Sequence, residues 1–218
     1  MPIQREDADI KLIAIDMDGT LLNDEQLIPE ENRRAIKEAE AKGIHVVIST
    51  GRTLVERKLL HTDHIQKLWD LRNKHNTNFW ASTVDRVWRG EFPETITDHQ
   101  WLKFGFEIED DEVRNEVLKE LKEYKELEIT NSSPINIEVN ALGINKAAAL
   151  AKVSEKLGFT MENVMAMGDS LNDIAMIEKA GVGVAMGNAQ DIVKETADWV
   201  TDVNTENGVA KAIRHWVL

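Results

Sequence analysis

An α/β fold on a parallel sheet, interrupted by an inserted α+β segment, is what this sequence predicts. Three observations predict it. Short apolar runs alternate with helical patterns at both ends of the chain. Between about residues 61 and 140 the pattern changes to half-polar alternating strands and two amphipathic helices. Two of the apolar runs end in paired aspartates, at the carboxyl end of a strand, where ligands bind in open α/β sheets.

Each element has a local reason. Leu12-Ile13-Ala14-Ile15 reads as a buried parallel strand. Pro29-Glu30-Glu31 opens a helix, since Pro suits the first turn and acids suit the positive end of the dipole. That helix runs to Lys42, and Gly43 stops it. Ile44–Ile48 is the next strand, ending in Ser49-Thr50-Gly51-Arg52 and completing a βαβ unit. In the insertion, His61–His75 is helical, Phe79–Val84 and Val87–Arg89 are short strands, and Trp101–Ile108 is a longer one. Asp110–Tyr124 carries Val113, Val117, Leu118 and Leu121 at helical spacing, and Leu127–Thr130 and Ile135–Val139 alternate as strands. The order resembles two copies of one small unit.

After Asn140 the βα alternation returns. Lys146–Leu157 is a helix stopped by Gly158, and Val164–Met167 is a strand. Ile174–Ala180 is a helix, Val182–Met186 a strand, Asp191–Thr196 a helix, Trp199-Val200 a short strand, and Asn207–Trp216 the closing helix. One α/β domain, residues 1–60 and 141–218, is thus split around an α+β domain of residues 61–140.

Composition narrows the function classes. The net charge of −13 argues against nucleic-acid or anionic-membrane partners, which need basic patches. It leaves room for an anionic small substrate, because a metal and a few cations make a local positive site. The absence of Cys removes disulfide and thiolate chemistry and fits a reducing compartment. No apolar run approaches membrane-spanning length, and Met1–Asp7 lacks the apolar core of a signal peptide. A cytoplasmic protein, monomeric or weakly homodimeric, is expected.

The chemistry sits at strand ends. Asp16 and Asp18 follow the first strand at i and i+2, and two like charges so close call for a cation. A hard divalent ion suits their oxygens, and a carboxylate beside it can attack phosphorus. Asp169 and Asp173, in Gly168-Asp169-Ser170-Leu171-Asn172-Asp173, repeat the arrangement. One such strand end reads equally well as a capped turn; two are harder to explain that way. Thr50 and Gly51, at a strand-to-helix turn, offer a hydroxyl and a backbone N–H to a phosphate, although alone they read as an N-cap. Lys146 starts a helix, where a cation opposes the dipole and a nearby anion would compensate; alone it reads as a surface lysine.

Together these motifs resemble the haloacid dehalogenase superfamily, in particular its Cof-type phosphatases. The match lies in Asp16-x-Asp18-Gly19-Thr20, Ser49-Thr50-Gly51-Arg52, Lys146 and Gly168-Asp169-x-x-Asn172-Asp173, and Gly183–Ala189 is similar as well. The resemblance implies a Rossmann-like core and, between Phe79 and Val139, a type-2B cap that selects the substrate. It implies that Asp16 is the nucleophile forming an aspartyl-phosphate, and that Asp18 is the acid and then the base. Thr50 and the Gly51 amide would hold the phosphoryl oxygens, and Lys146 would offset charge. Mg²⁺ would be held by Asp16, the Asp18 carbonyl and Asp169, with Asp173 behind them or acting through water. Asn172 would bind phosphate or orient Asp173.

The implied substrate is a small phosphorylated metabolite: a sugar phosphate, flavin mononucleotide or a ribitylamino-pyrimidine phosphate. The last follows from Trp101–Gly105 and Thr130-Asn131-Ser132, which are similar to Bacillus-type members assigned to riboflavin biosynthesis. Most of the aromatics Phe79, Trp80, Trp88, Phe92, Trp101, Phe104 and Phe106 should be core. Trp80 and Trp88 are candidates to stack on a planar ring, with Arg86 and His99 as polar contacts. A phosphomutase on the same scaffold, and an inactive binding protein, are the alternatives.

One departure from the family pattern stands out. After Arg52 the family continues with a helix and a further strand before the cap, whereas only Thr53–Leu60 precede the cap-like helix here. A crossover to another parallel strand needs a dozen or more residues. The core is therefore expected to be one strand short, which bears on stability and cap closure more than on the catalytic residues.

Overall fold

The structure, a computed structural model, describes residues 8–49 and 58–218. The chain divides into two compact units, Met1–Val55 with Asn145–Leu218, and Glu56–Ile144.

The first unit begins with β1 (Leu12–Ile15), in which every residue is buried. Helix α1 (Glu30–Ala41) follows Pro29, carries Glu30 and Glu31 in its first turn, and gives way to Gly43 at φ +82°. β2 (His45–Ile48) lies parallel to β1, with Leu12 opposite His45 and Ile15 opposite Ile48.

The second unit opens with α2 (Thr62–His75), whose amide at Asp63 donates to the His61 ring, so His61 is the cap rather than the first helical residue. Strands β3 (Asn78–Thr83), β4 (Val87–Arg89) and β5 (Trp101–Glu107) follow. Helix α3 (Asp111–Leu121) is shorter than the apolar spacing suggests: the Asp110 carboxylate accepts from the Glu112 and Val113 amides and fixes the start, and turn bonds from the Glu123 and Tyr124 amides to the Glu120 and Leu121 carbonyls end it. β6 (Leu127–Thr130) and β7 (Asn136–Ala141) complete an antiparallel sheet of order β4-β3-β5-β7-β6. Ile65, Leu68 and Leu71 of α2 and Val117 and Leu121 of α3 pack with Phe79, Ala81, Phe104, Phe106, Ile137 and Val139. Alternation along each strand turns the intervening residues to the other face.

The chain then returns to the first unit. Helix α4 (Lys146–Leu157) is capped by Asn145, whose side chain accepts from the Ala148 amide at 3.0 Å. β8 (Val164–Gly168), α5 (Ile174–Lys179), β9 (Val182–Ala185), α6 (Asp191–Thr196), β10 (Trp199–Val200) and α7 (Gly208–Trp216) follow. The sheet is parallel throughout, in the order β10-β9-β8-β1-β2. Ile13, Ile15, Met165 and Met167 pack on one face with residues of α1 and α7, while Leu12, Ala14, Val164 and Ala166 pack on the other with residues of α4 and α5.

Two consequences matter for function. The strand order reverses between β1 and β8, so their carboxyl ends form the crevice where such sheets bind ligands. Among the described residues β2 is also an edge strand, so its apolar residues are less buried than those of β1, and Ile48 is 42% exposed. Among the described residues no helix is long and apolar enough to cross a membrane.

Candidate active site

Asp16 stands at the end of β1, and its amide donates to the Met167 carbonyl of β8 at 3.0 Å. The chain then turns sharply. The Leu21 amide donates to the Asp16 carbonyl and the Leu22 amide to the Met17 carbonyl, with Asp18 extended and Gly19 at φ +77° between them. Gly19 is required twice over: the positive φ disfavours a side chain, and a Cβ would lie 2.6 Å from an Asp169 oxygen. At the end of β8, a Cβ on Gly168 would run into the Asp173 carboxylate.

These turns bring three carboxylates together. Oxygens of Asp16, Asp169 and Asp173 lie within 4.8 Å of one another. The Lys146 ammonium, from the first turn of α4, donates to Asp16 Oδ1 and to Asp173 Oδ1, each at 2.6 Å. Asp173 Oδ2 accepts from the Asp169 and Ser170 amides at 3.0 and 3.1 Å. Asp169 accepts from the Thr20 hydroxyl through Oδ1 and from the Ser170 hydroxyl through Oδ2, both at 3.0 Å. Lys146 is therefore the buried counter-cation of two carboxylates and not a surface lysine.

One ammonium cannot balance three carboxylates, of which Asp16 and Asp173 are buried and Asp169 is half-buried. Burial, and then the charge of Asp173, push Asp16 up to about 8 despite Lys146. Burial and Asp173 likewise push Asp169 up to about 6. Burial alone would lower Lys146, but Asp173 and Asp16 outweigh it and hold the ammonium above its ordinary value. The site thus has unmet negative charge on hard oxygen ligands, the donor set that suits a divalent cation.

The other anticipated residues divide into three groups. Asp18 is adjacent in the turn, but its side chain is exposed and stands outside the carboxylate cluster. Asn172 is half-buried, and its Oδ1 is buried without a hydrogen-bond partner. Thr50 and Gly51 lie outside the described residues.

Trp80, Arg86 and Trp88 are in the second unit. Trp80 is half-buried on the face of the sheet turned away from α2 and α3. Trp88 belongs to the buried core, with the Arg86 guanidinium 3.8 Å from its ring centroid and the His99 and Trp101 rings 5.0 and 6.4 Å away. That corrects the expectation for Trp88: β4 turns it inward, so its ring is a packing element.

Sequence reasoning missed the supports of the Asp16 turn. Asn188 donates to the Gly19 carbonyl at 2.8 Å and accepts from the Asn204 amide at 2.9 Å. Asn204 in turn donates to the Leu22 carbonyl at 2.9 Å. The only signal was that Asn188 falls within Gly183–Ala189; nothing marked Asn204.

The family model of haloacid dehalogenase-like hydrolases matches residues 13–59 and 90–213. The chain is 74% identical to the 5-amino-6-(5-phospho-D-ribitylamino)uracil phosphatase YcsE of Bacillus subtilis (strain 168), over the whole of both proteins. That alignment runs over 249 positions against the 218 residues here, so the relative has positions without a counterpart in this chain. Among solved structures, a haloacid dehalogenase-like hydrolase from B. subtilis shares the fold with a TM-score of 0.85 at 23% identity, covering 96% of this chain and all of the other. One from Bacteroides thetaiotaomicron gives 0.74 at 26%, covering 94% and 98%.

The chain belongs to the haloacid dehalogenase-like hydrolases, with a Rossmann-like core and an inserted α+β cap domain. It is a phosphatase acting on a phosphorylated small molecule.

Proposed function

We propose that this chain is a Mg²⁺-dependent phosphatase that hydrolyses 5-amino-6-(5-phospho-D-ribitylamino)uracil through a phosphorylated Asp16. The observation that carries the chemistry is the cluster of Asp16, Asp169 and Asp173, with a single ammonium shared by the two buried members, Asp16 and Asp173. The substrate rests on the 74% overall identity to YcsE, in an alignment that covers both units.

Asp16, the Asp18 carbonyl and Asp169 would hold the ion. Asp173 has both oxygens engaged by Lys146 and two amides, which suits a positioning role. Bound there, Mg²⁺ would favour the ionised form of Asp16 and draw charge from the phosphoryl oxygens.

The rest is done by side chains. Asp16 attacks phosphorus, forming a carboxylate–phosphorus bond as the phosphorus–oxygen bond to ribityl breaks. Asp18, exposed at the turn, gives its proton to the departing oxygen and then takes one from the water that cleaves the aspartyl-phosphate. Lys146, already on Asp16, offsets the charge of the pentavalent state. Thr50, the Gly51 amide and Asn172 hold the phosphoryl oxygens. Thr20 and Ser170 fix Asp169 through their hydroxyls.

Initial rates of phosphate release from this ester, flavin mononucleotide and several sugar phosphates test the assignment. The ribitylaminouracil ester should have the highest kcat/KM, and chelation should abolish the rate. A higher kcat/KM for a sugar phosphate would overturn the substrate, and a rate indifferent to chelation would overturn the role of the ion.

A further inference from the structure

Asn188 lies outside the carboxylate cluster, yet it is tied to both turns that build the cluster. It follows β9 in the segment Met186–Gln190, and that segment is fastened to the end of β8. The Met186 amide donates to the Gly168 carbonyl and the Gln190 amide to the Asp169 carbonyl, each at 3.0 Å. Between these anchors Asn188 Nδ2 donates to the Gly19 carbonyl at 2.8 Å. One short segment therefore joins the turn that carries Asp16 and Asp18 to the turn that carries Asp169.

Asn188 is itself held. Its Oδ1 accepts from the Asn204 amide at 2.9 Å, and Asn204, buried, donates through Nδ2 to the Leu22 carbonyl at 2.9 Å. Gly187 permits this close approach, since a Cβ there would lie 2.9 Å from the Val203 nitrogen. The two asparagines thus grip the Asp16 turn at Gly19 and again at Leu22. The turn needs the grip, because Asp18 is extended and Gly19, at φ +77°, has no side chain to fix its peptide. Gly19 also abuts Asp169, where a Cβ would lie 2.6 Å from a carboxylate oxygen, and the next residue, Thr20, donates to Asp169 Oδ1 at 3.0 Å. A shift of Gly19 is therefore a shift of the Asp18 peptide against Asp169.

We propose that Asn188 is a positioning residue for the reaction: backed by Asn204, it sets the distance between the Asp18–Gly19 peptide and the Asp169 carboxylate. That distance governs two things. The Asp18 carbonyl and Asp169 are among the oxygens assigned above to Mg²⁺, an ion that demands near-ideal octahedral geometry. The same stretch of backbone carries the Asp18 side chain, whose proton transfer depends on hydrogen-bond reach. Asn188 acts through its amide, whose nitrogen donates to Gly19 while its oxygen accepts from Asn204. A carboxylate in its place would keep the second bond and set an acceptor against the Gly19 carbonyl. The inference rests on the phosphatase reading above and adds the residue that holds its parts in register.

The test uses the full chain and its Asn188→Ala and Asn188→Asp variants. Metal affinity is read without substrate, by titrating the chelated protein with Mn²⁺, which shares the octahedral oxygen preference of Mg²⁺, and following the paramagnetic resonance of the free ion. Asn188→Ala should bind Mn²⁺ about fivefold more weakly and lower kcat on the ribitylaminouracil ester at saturating Mg²⁺ about tenfold or more, with KM little changed. Asn188→Asp keeps the bond from Asn204, so it should retain the thermal midpoint of the chelated protein and still lose kcat to a similar extent. A lowered midpoint with unchanged Mn²⁺ affinity and kcat would make Asn188 a support of the fold alone and overturn the inference. An Asn188→Asp variant with full kcat overturns it too, as does a failure of the unsubstituted chain to bind Mn²⁺, whatever its turnover. An unsubstituted chain that binds Mn²⁺ yet releases no phosphate from any ester would reject the phosphatase reading. Weaker Mn²⁺ binding by Asn188→Ala would then still support the positioning role.

Discussion

Asp16 owes its reactivity to the company it keeps, and each partner can be removed singly. Asp16→Asn should reduce turnover to background with an unchanged circular dichroism spectrum; substantial residual activity in a clean preparation would remove it as nucleophile. Asp18→Asn should slow turnover by about 10²–10⁴-fold, the usual worth of general acid–base help. Lys146→Met should do more than slow the reaction. It strands Asp16 and Asp173, both buried, without their shared cation, and breaking a buried pair costs about 3–5 kcal/mol. Denaturant unfolding of the metal-free variant reads that loss, and an unchanged midpoint would show that Lys146 does not neutralise the pair.

The same residues set a pH dependence. Asp16, at about 8, and Asp169, at about 6, bind protons more tightly in the folded chain than in the unfolded one, where a carboxyl sits near 3.9. Their contribution therefore favours the folded state at low pH and is lost as pH rises through 6 and then 8. A divalent cation replaces those protons. The gain in thermal midpoint on adding Mg²⁺ to the chelated protein should accordingly grow from pH 5.5 to pH 8.5. A gain that shrinks over that range would contradict the picture of unmet negative charge.

At the scale of elements, β1 and β8 were legible because both are short apolar runs ending in Gly or Asp, and a parallel strand buried on both faces leaves that signature. The helix starts were legible only to within a residue or two. His61 and Asp110 act as caps from outside their helices, a role that apolar spacing does not register. Trp80 and Trp88 could not be told apart in the sequence. Which of them faces the core depends on the strand each occupies and on its register, and the structure turns one outward and the other inward. The bracing of Asn188 and Asn204 on the Asp16 turn was equally hidden, since each hydrogen bond to it joins residues more than 160 positions apart. β2 yields a prediction of its own. The His45 and Ser49 amides donate to β1, so those of Val46 and Ile48 point off the edge of the sheet. They should exchange with solvent much faster than the amide of Val47. Strong protection at Val46 and Ile48 would mean that another strand completes the sheet.

For the whole molecule, the parallel sheet and the inserted antiparallel one were readable from the change in periodicity, because each unit buries its own apolar set. The core shortened after Arg52 that the sequence leads one to expect concerns residues 50–57, which lie outside the described ones. A shortening there would fall beside the strand that leads to Thr50, while Asp16, Asp169, Asp173 and Lys146 are held from β1, β8 and α4. Catalysis should accordingly survive the loss. The most direct test of the central claim is to quench the chain during turnover of the ribitylaminouracil ester with Mg²⁺, reduce it with borohydride, and sequence the peptides by mass spectrometry. An aspartyl-phosphate at position 16 is reduced to homoserine, so the account predicts homoserine at that position and at no other aspartate. Unmodified Asp16 beside a reduced aspartate elsewhere in the chain would contradict it.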